Sequence, residues 1–161
     1  MTLSLPPPVR RFALIISALC LCSFAVAADL ETKLTSARVT RTGDTENFVD
    51  AATAAPGDTI RYVATYTNTT KRALREVAAT LPIPQNLELV LSSVKPVATD
   101  GSTDGKTFVP LSRLLKPKSE GGMGVLPSAV RALRWAPRDL PAGESFSVEA
   151  RAKISSAPAK R

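Results

Sequence analysis

The residue types that do chemistry are sparse in this chain, and what is missing narrows the possibilities. There is no His, and the two Cys, Cys20 and Cys22, sit together in an apolar N-terminal stretch. A Ser–His or Cys–His nucleophilic system therefore cannot be assembled, and zinc lacks its usual ligands. Paired carboxylates remain as a general acid–base chemistry. The candidates are Asp100 and Asp104, in the dipeptides Asp100-Gly101 and Asp104-Gly105. Asp before Gly is favoured in turns, where the carboxylate accepts local backbone N–H groups, so both are read as turn residues. The same segment lacks the alternating acids and terminal Glu of a calcium loop. Ser36, Ser92 and Ser93 have no base near them in sequence. The reading assigns no catalytic, cofactor-binding or metal-binding residue, and the expectation is that the protein is not an enzyme.

Basic residues are the other group with chemical consequence. The chain of 161 residues carries a net charge of +7. Between residues 101 and 138, Lys106, Arg113, Lys116, Lys118, Arg131, Arg134 and Arg138 face only Asp104 and Glu120. The ordinary reading is a solvated surface. The functional reading is a contact with an anionic envelope polymer or lipopolysaccharide, carried by Arg113, Lys116, Lys118, Arg131 and Arg134. No aromatic side chains interleave these cations, so nucleic acid is not expected as a partner.

Residues 1–28 read as a secretory signal. Arg10 and Arg11 precede an apolar run from Phe12 to Phe24, and Ala25-Val26-Ala27-Ala28 supplies small residues for cleavage. The run falls short of the about 20 residues that a membrane span needs, so no span is expected after cleavage. Both Cys leave with this segment. Leu19 and Leu21 precede them, where a lipoprotein signal has small residues. The expected destination is the periplasm, the cell surface or the medium, and the exported domain must be held by its core without disulfides.

The elements that must position any site follow a period of two, which indicates strands. In residues 146–154, Phe146, Val148, Ala150, Ala152 and Ile154 face one way and Ser147, Glu149, Arg151 and Lys153 the other. Residues 59–68 are rich in β-branched and aromatic types, with Ile60, Tyr62, Ala64 and Tyr66 on one face. Further strands are expected at 32–40, 75–81, 87–94, 107–108 and 132–135. Pro56-Gly57-Asp58, Asn68 to Arg72, Pro82 with Pro84, and Pro141-Ala142-Gly143 punctuate them. Residues 109–128 hold Pro110, Pro117, Pro127, Gly121, Gly122 and Gly124, and read as a long basic loop with a helical turn near 112–115. Loops of that length are often functional. Residues 155–161 read as a disordered tail. The expected core comprises Leu34, Val39, Ile60, Tyr62, Ala64, Val77, Leu81, Leu89, Leu91, Trp135, Phe146, Val148 and Ile154. Trp135, the single Trp, is placed in the core rather than on a sugar-stacking surface, and Tyr62 and Tyr66 in the core with hydroxyls at its rim. Asn68-Thr69-Thr70 matches the N-glycosylation pattern and reads as a polar turn.

The order of these features resembles the bacterial conserved-repeat domain, a family of immunoglobulin-like modules of unknown function in secreted and cell-surface proteins. The resemblance runs from Ala55 to Ile154. It rests on the Pro56-Gly57-Asp58 turn, the Tyr-containing strand ending at Asn68-Thr69, the Leu81-Pro82 pair, the strand from Leu87, the Trp135 strand, and Leu140-Pro141-Ala142-Gly143 before the last strand. It implies an all-β, immunoglobulin-like antiparallel β-sandwich of about seven strands, and with the strand expected at 32–40 the domain is read as residues 29–154. It implies no catalytic residues and no cofactor. The function expected from all of this is a non-enzymatic envelope protein that acts as a structural or protein-interaction module, with a protein partner in the cell envelope. The alternative is a binder of anionic polymer or lipid through the basic loop.

Overall fold

A computed structural model describes residues 29–156. The expected signal segment, residues 1–28, and residues 157–161 of the expected tail lie outside the described residues. The fold is all-β, and every strand pairing is antiparallel. The strands are β1 (Leu30–Thr42), β2 (Thr45–Asp50), β3 (Thr59–Asn68), β4 (Leu74–Val77), β5 (Thr80–Pro82), β6 (Leu87–Lys95), β7 (Asp100–Ser102), β8 (Val109–Pro110), β9 (Ala132–Arg134), β10 (Arg138–Leu140) and β11 (Ser145–Ile154). One helix, α1 (Leu111–Leu115), follows β8. The sheets have the orders β2-β1-β3-β11-β6, β10-β4 and β5-β9-β7-β8.

The five-stranded sheet is built on the alternation legible in β3 and β11. Register pairs Ala64 with Val148, Tyr62 with Ala150 and Ile60 with Ala152, and these side chains share the face turned to the core. Ala64, Tyr66, Val148, Ala150 and Ala152 pack there against Ala79, Leu81, Val130, Leu133 and Trp135 from the segments of the four-stranded sheet. The Trp135 indole N–H donates to the Pro96 carbonyl at 2.6 Å, satisfying the one polar atom that burial would otherwise penalise. The Tyr66 side chain is buried, and its hydroxyl reaches the backbone of the exposed Thr80. It donates to the Thr80 carbonyl at 2.7 Å and accepts the Thr80 N–H at 3.0 Å.

Several expectations need correction. Leu34 does share the core-facing side of the sheet with Ala64, yet it is 51% exposed, whereas Leu30 on the same strand packs against the core. Leu91 is also exposed. Between Val90 and Lys95 the strand bulges against β11, and Ser93, given no role from sequence, fills the interrupted ladder. Its hydroxyl accepts the Arg151 N–H at 2.7 Å and donates to the Val90 carbonyl. The bulge swings Leu91 out of the alternation. Residues 75–81 form two strands, because the chain leaves the β10 pairing and enters the β9 pairing within a few residues. Residues 107–108 form no strand. Asp100-Gly101 is part of β7 rather than a turn, and Gly101 is there for space: a Cβ would stand 2.8 Å from the ends of Leu111 and Leu114.

Asn68 is wholly buried where β3 ends. Its amide NH2 donates to the Arg72, Leu140 and Pro141 carbonyls at 2.8, 2.9 and 2.9 Å. Its oxygen accepts the Thr70 N–H and hydroxyl at 2.9 and 2.7 Å. The Asn-Thr-Thr motif is thus a structural junction tying the β3 exit to the approach to β11. Its amide is engaged and unavailable to carry a glycan.

Candidate functional site

The segment read as a long basic loop is an ordered wall with its own fold. Leu111 caps the β7 end through an N–H bond to the Thr99 carbonyl at 2.9 Å. Leu114 is buried against the core. The chain then doubles back on itself. The N–H groups of Met123, Gly124 and Val125 donate to the carbonyls of Arg113, Lys116 and Leu114 at 3.0, 2.9 and 3.0 Å. The glycines explain themselves at this point. Gly121 and Gly124 have positive φ, which L side chains adopt at a cost, and a Cβ on Gly122 would overlap the Lys116 carbonyl oxygen.

This wall and the β6 bulge enclose an exposed apolar groove. One part, of about 340 Å³, is lined by Leu91, Val94, Val97, Ala98, Leu111 and Leu115, with Thr99 and Ser112. The adjoining part, of about 470 Å³, is lined by Leu91, Leu115, Pro117, Lys118, Gly124, Val125, Leu126 and Pro127. Leu91 and Leu115 form the shared floor. Val97 is 83% exposed and Leu126 68%, unusual for side chains of that size gathered around one depression.

The five cations singled out from sequence divide into two groups. Arg113, Lys116 and Lys118 are exposed on α1 and the turn after it, and of these Lys118 lines the groove. Among the described residues Lys116 has one acid within reach, Glu120 at 4.0 Å, and Arg113 and Lys118 have none. Arg131 and Arg134 are already engaged in the structure. Arg131 donates to the Ser128 and Val130 carbonyls, both at 2.9 Å. Arg134 grips Asp100 with two nitrogens at 3.1 and 2.9 Å and lies 4.4 Å over the Phe108 ring. The sequence signal for the basic rim was its charge run. Val97 and Leu126, the exposed apolar lining, were missed, although each sits outside any alternating pattern and beside Pro.

The carboxylates do not converge. Asp100 is neutralised by Arg134. Asp104 accepts the N–H groups of Lys106 and Thr107, both at 2.8 Å, and a bond from the Ser102 hydroxyl. These donors hold its carboxyl well below the usual range. On the outer face of the five-stranded sheet a second charged cluster runs Arg41–Glu46–Arg151–Glu149–Arg61. Hydrogen bonds from Arg151 first, then Arg41, lower the Glu46 carboxyl to about 2. Arg61, bonded at 2.6 Å, lowers that of Glu149. Arg61 also lies 4.7 Å over the Phe48 ring. Both carboxylates of this cluster are paired with Arg side chains, and the Arg41–Glu46 and Arg61–Glu149 contacts act as cross-strand pairs. Among the described residues no three His, Cys, Asp or Glu side chains lie together as metal ligands, and no helix is long and apolar enough to cross a membrane. Comparison of the chain with protein-family models, with curated proteins and with solved structures finds no match.

Proposed function

We propose that the chain is an exported, non-enzymatic interaction module of the bacterial envelope, an immunoglobulin-like sandwich that engages a protein partner through the groove between β6 and the α1 wall. The observation that carries this reading is the exposed apolar lining. Leu91, Val97, Leu115 and Leu126 gather around one depression held by ordered backbone, and exposed apolar surface of this kind marks interaction sites. Lys118 in the lining, with Arg113 and Lys116 exposed on the same segment, favours a partner segment that is apolar on one side and acidic on the other. The sandwich reading is supported by the common core between the five-stranded and four-stranded sheets and by the resemblance to the conserved-repeat modules. Export is supported by the pattern of residues 1–28.

The second reading, an anionic polymer or lipid bound through the rim, is favoured by Arg113 and Lys118 having no acidic partner among the described residues. The two readings separate by variant and by salt. Val97→Asp and Leu126→Asp alter exposed positions and leave the fold intact. Under the protein-partner reading they reduce retention in the envelope fraction at least about tenfold, as loss of anchors in an interface does. Under the polymer reading those variants bind normally, and raising the salt, which screens exposed charge within about 8 Å at physiological strength, releases the protein.

A further inference from the structure

The five-stranded sheet carries an unfinished edge at the side away from the groove. β2 pairs with β1 only over residues 37–42. Residues 30–36 are paired with β3 along their inner side, and among the described residues no strand lies on their outer side. The Thr69 N–H donates to the Asp29 carbonyl, which sets the alternation of backbone groups along β1. Odd-numbered residues turn their N–H and C=O toward β3. Leu30, Thr32, Leu34 and Ser36 turn theirs outward. An ordered strand with such a row of unpaired groups is a template for another strand.

The side chains on this edge are self-complementary. Leu30 and the half-exposed Leu34 share the core-side face. Glu31 and Lys33 share the other face, both exposed and without an ion pair among the described residues. The geometry points to antiparallel pairing of this edge with the same edge of a second copy, about a two-fold axis at Thr32. Thr32 then faces Thr32, Leu30 faces Leu34, and Glu31 faces Lys33, each of the last two pairs occurring twice. The neighbouring registers fail for stated reasons. An axis at Glu31 or at Lys33 sets like charges directly opposite, which is destabilising. An axis at Leu30 sets Asp29 against Glu31. An axis at Leu34 brings the second copy's Glu31 to Ala37, where β2 already sits opposite through Asp50.

The result is one continuous sheet through two copies, with the grooves beside β6 left free at its far ends. A pairing this short buries well under about 1,000 Å², which places it among weak, concentration-dependent associations. The inference is independent of what the groove binds.

Sedimentation equilibrium of the purified protein, carried to about 1 mM, reads the association directly. The expected result is a monomer–dimer equilibrium. Thr32→Pro removes an outward N–H that serves no bond within the chain. Pro is tolerated on such an edge, so circular dichroism stays unchanged while the dimer disappears. Glu31→Lys or Lys33→Glu alone replaces two attractive pairs by two repulsive ones and weakens the dimer roughly tenfold. The double variant E31K/K33E restores it. A protein that stays monomeric over the whole range overturns the proposal. So does a dimer that persists in Thr32→Pro with normal strength, or a double variant no stronger than the singles.

Discussion

Replacing Asn68 by Asp exchanges one NH2 group for an oxygen and leaves the shape unchanged. Three carbonyl oxygens on one side of the Asn68 amide and the Thr70 N–H on the other settle which end donates. After the exchange, the carbonyls of Arg72, Leu140 and Pro141 face a carboxylate oxygen in a site that is 0% exposed. The Arg72 carbonyl keeps the Thr70 hydroxyl and the Pro141 carbonyl the Glu144 N–H, so the cost is that of the lost amide donors, about 1–3 kcal/mol, plus the desolvation of a buried charge set against three carbonyl oxygens, which adds about as much again. We therefore expect a loss of about 4 kcal/mol, a large part of the 5–15 kcal/mol typical of a whole domain. The assay is urea denaturation of both proteins, read as a shift in midpoint at constant slope. The substitution also has a pH signature. The carboxyl is expected to be held above its unfolded pKa, so the deficit relative to the parent shrinks as pH falls and the group becomes a neutral donor. A cost below about 1 kcal/mol, or a deficit independent of pH, would refute the reasoning, because it would mean that the junction admits water or does without the amide.

Three other outcomes follow from particular contacts. Gly122→Ala forces the 113–125 backbone apart at the Lys116 carbonyl, and Gly101→Ala displaces the buried Leu114; each lowers stability by about 1–3 kcal/mol in thermal or urea unfolding. Glu76 sits exposed at φ 54 in β4, so Glu76→Gly relieves a left-handed strain and raises stability by about 0.5–1 kcal/mol. Stability against pH is flat from about 5 to 8, since the chain has no His. The carboxyls of Glu46, Glu149, Asp58 and Asp104 are all lowered in the folded state. Their contribution is present above the unfolded carboxylate range near 4 and is lost as pH falls, for Glu46 through about 2. Melting temperatures measured between pH 2 and 8 check this, and a slope between 5 and 8 contradicts it.

The long strands were legible because one face of each is buried and the other is not. Residues 59–68 and 146–154 carry that asymmetry in their residue types, and β3 and β11 follow it to within one residue. The short strands β2, β7 and β10 left no such trace: β2 is exposed on nearly every residue, so it carries no buried face to alternate, and β7 and β10 have three residues each. Asp100-Gly101 imitates a turn because Asp-Gly is favoured there, whereas Gly101 is small to admit two leucines of α1, a contact across sequence. Leu34 and Leu91 show a different limit. Alternation tells which face a side chain joins, but not whether a second layer covers that part of the face, nor that a bulge at Ser93 resets the pattern. Glu149 was read as simply outward; its contact with Arg151 lies within β11, but its bond to Arg61 depends on β3 lying beside β11. The basic rim was visible as a charge run. The groove was not, because its lining comes from β6, α1 and the returning chain at 124–127, which only the fold brings together.

The central claim is that the groove, rather than the charge of its rim, holds a protein partner. It is tested most directly by placing a photo-crosslinking residue at position 126 of the full chain in the producing cell, with a second probe at Thr45 on the distant β2 edge as reference. The account predicts one dominant protein adduct from position 126, unaffected by salt, absent from position 45, and lost when Val97→Asp is introduced into the same chain. Equal adducts from both positions, or an adduct at 126 that survives Val97→Asp and vanishes in high salt, would contradict it.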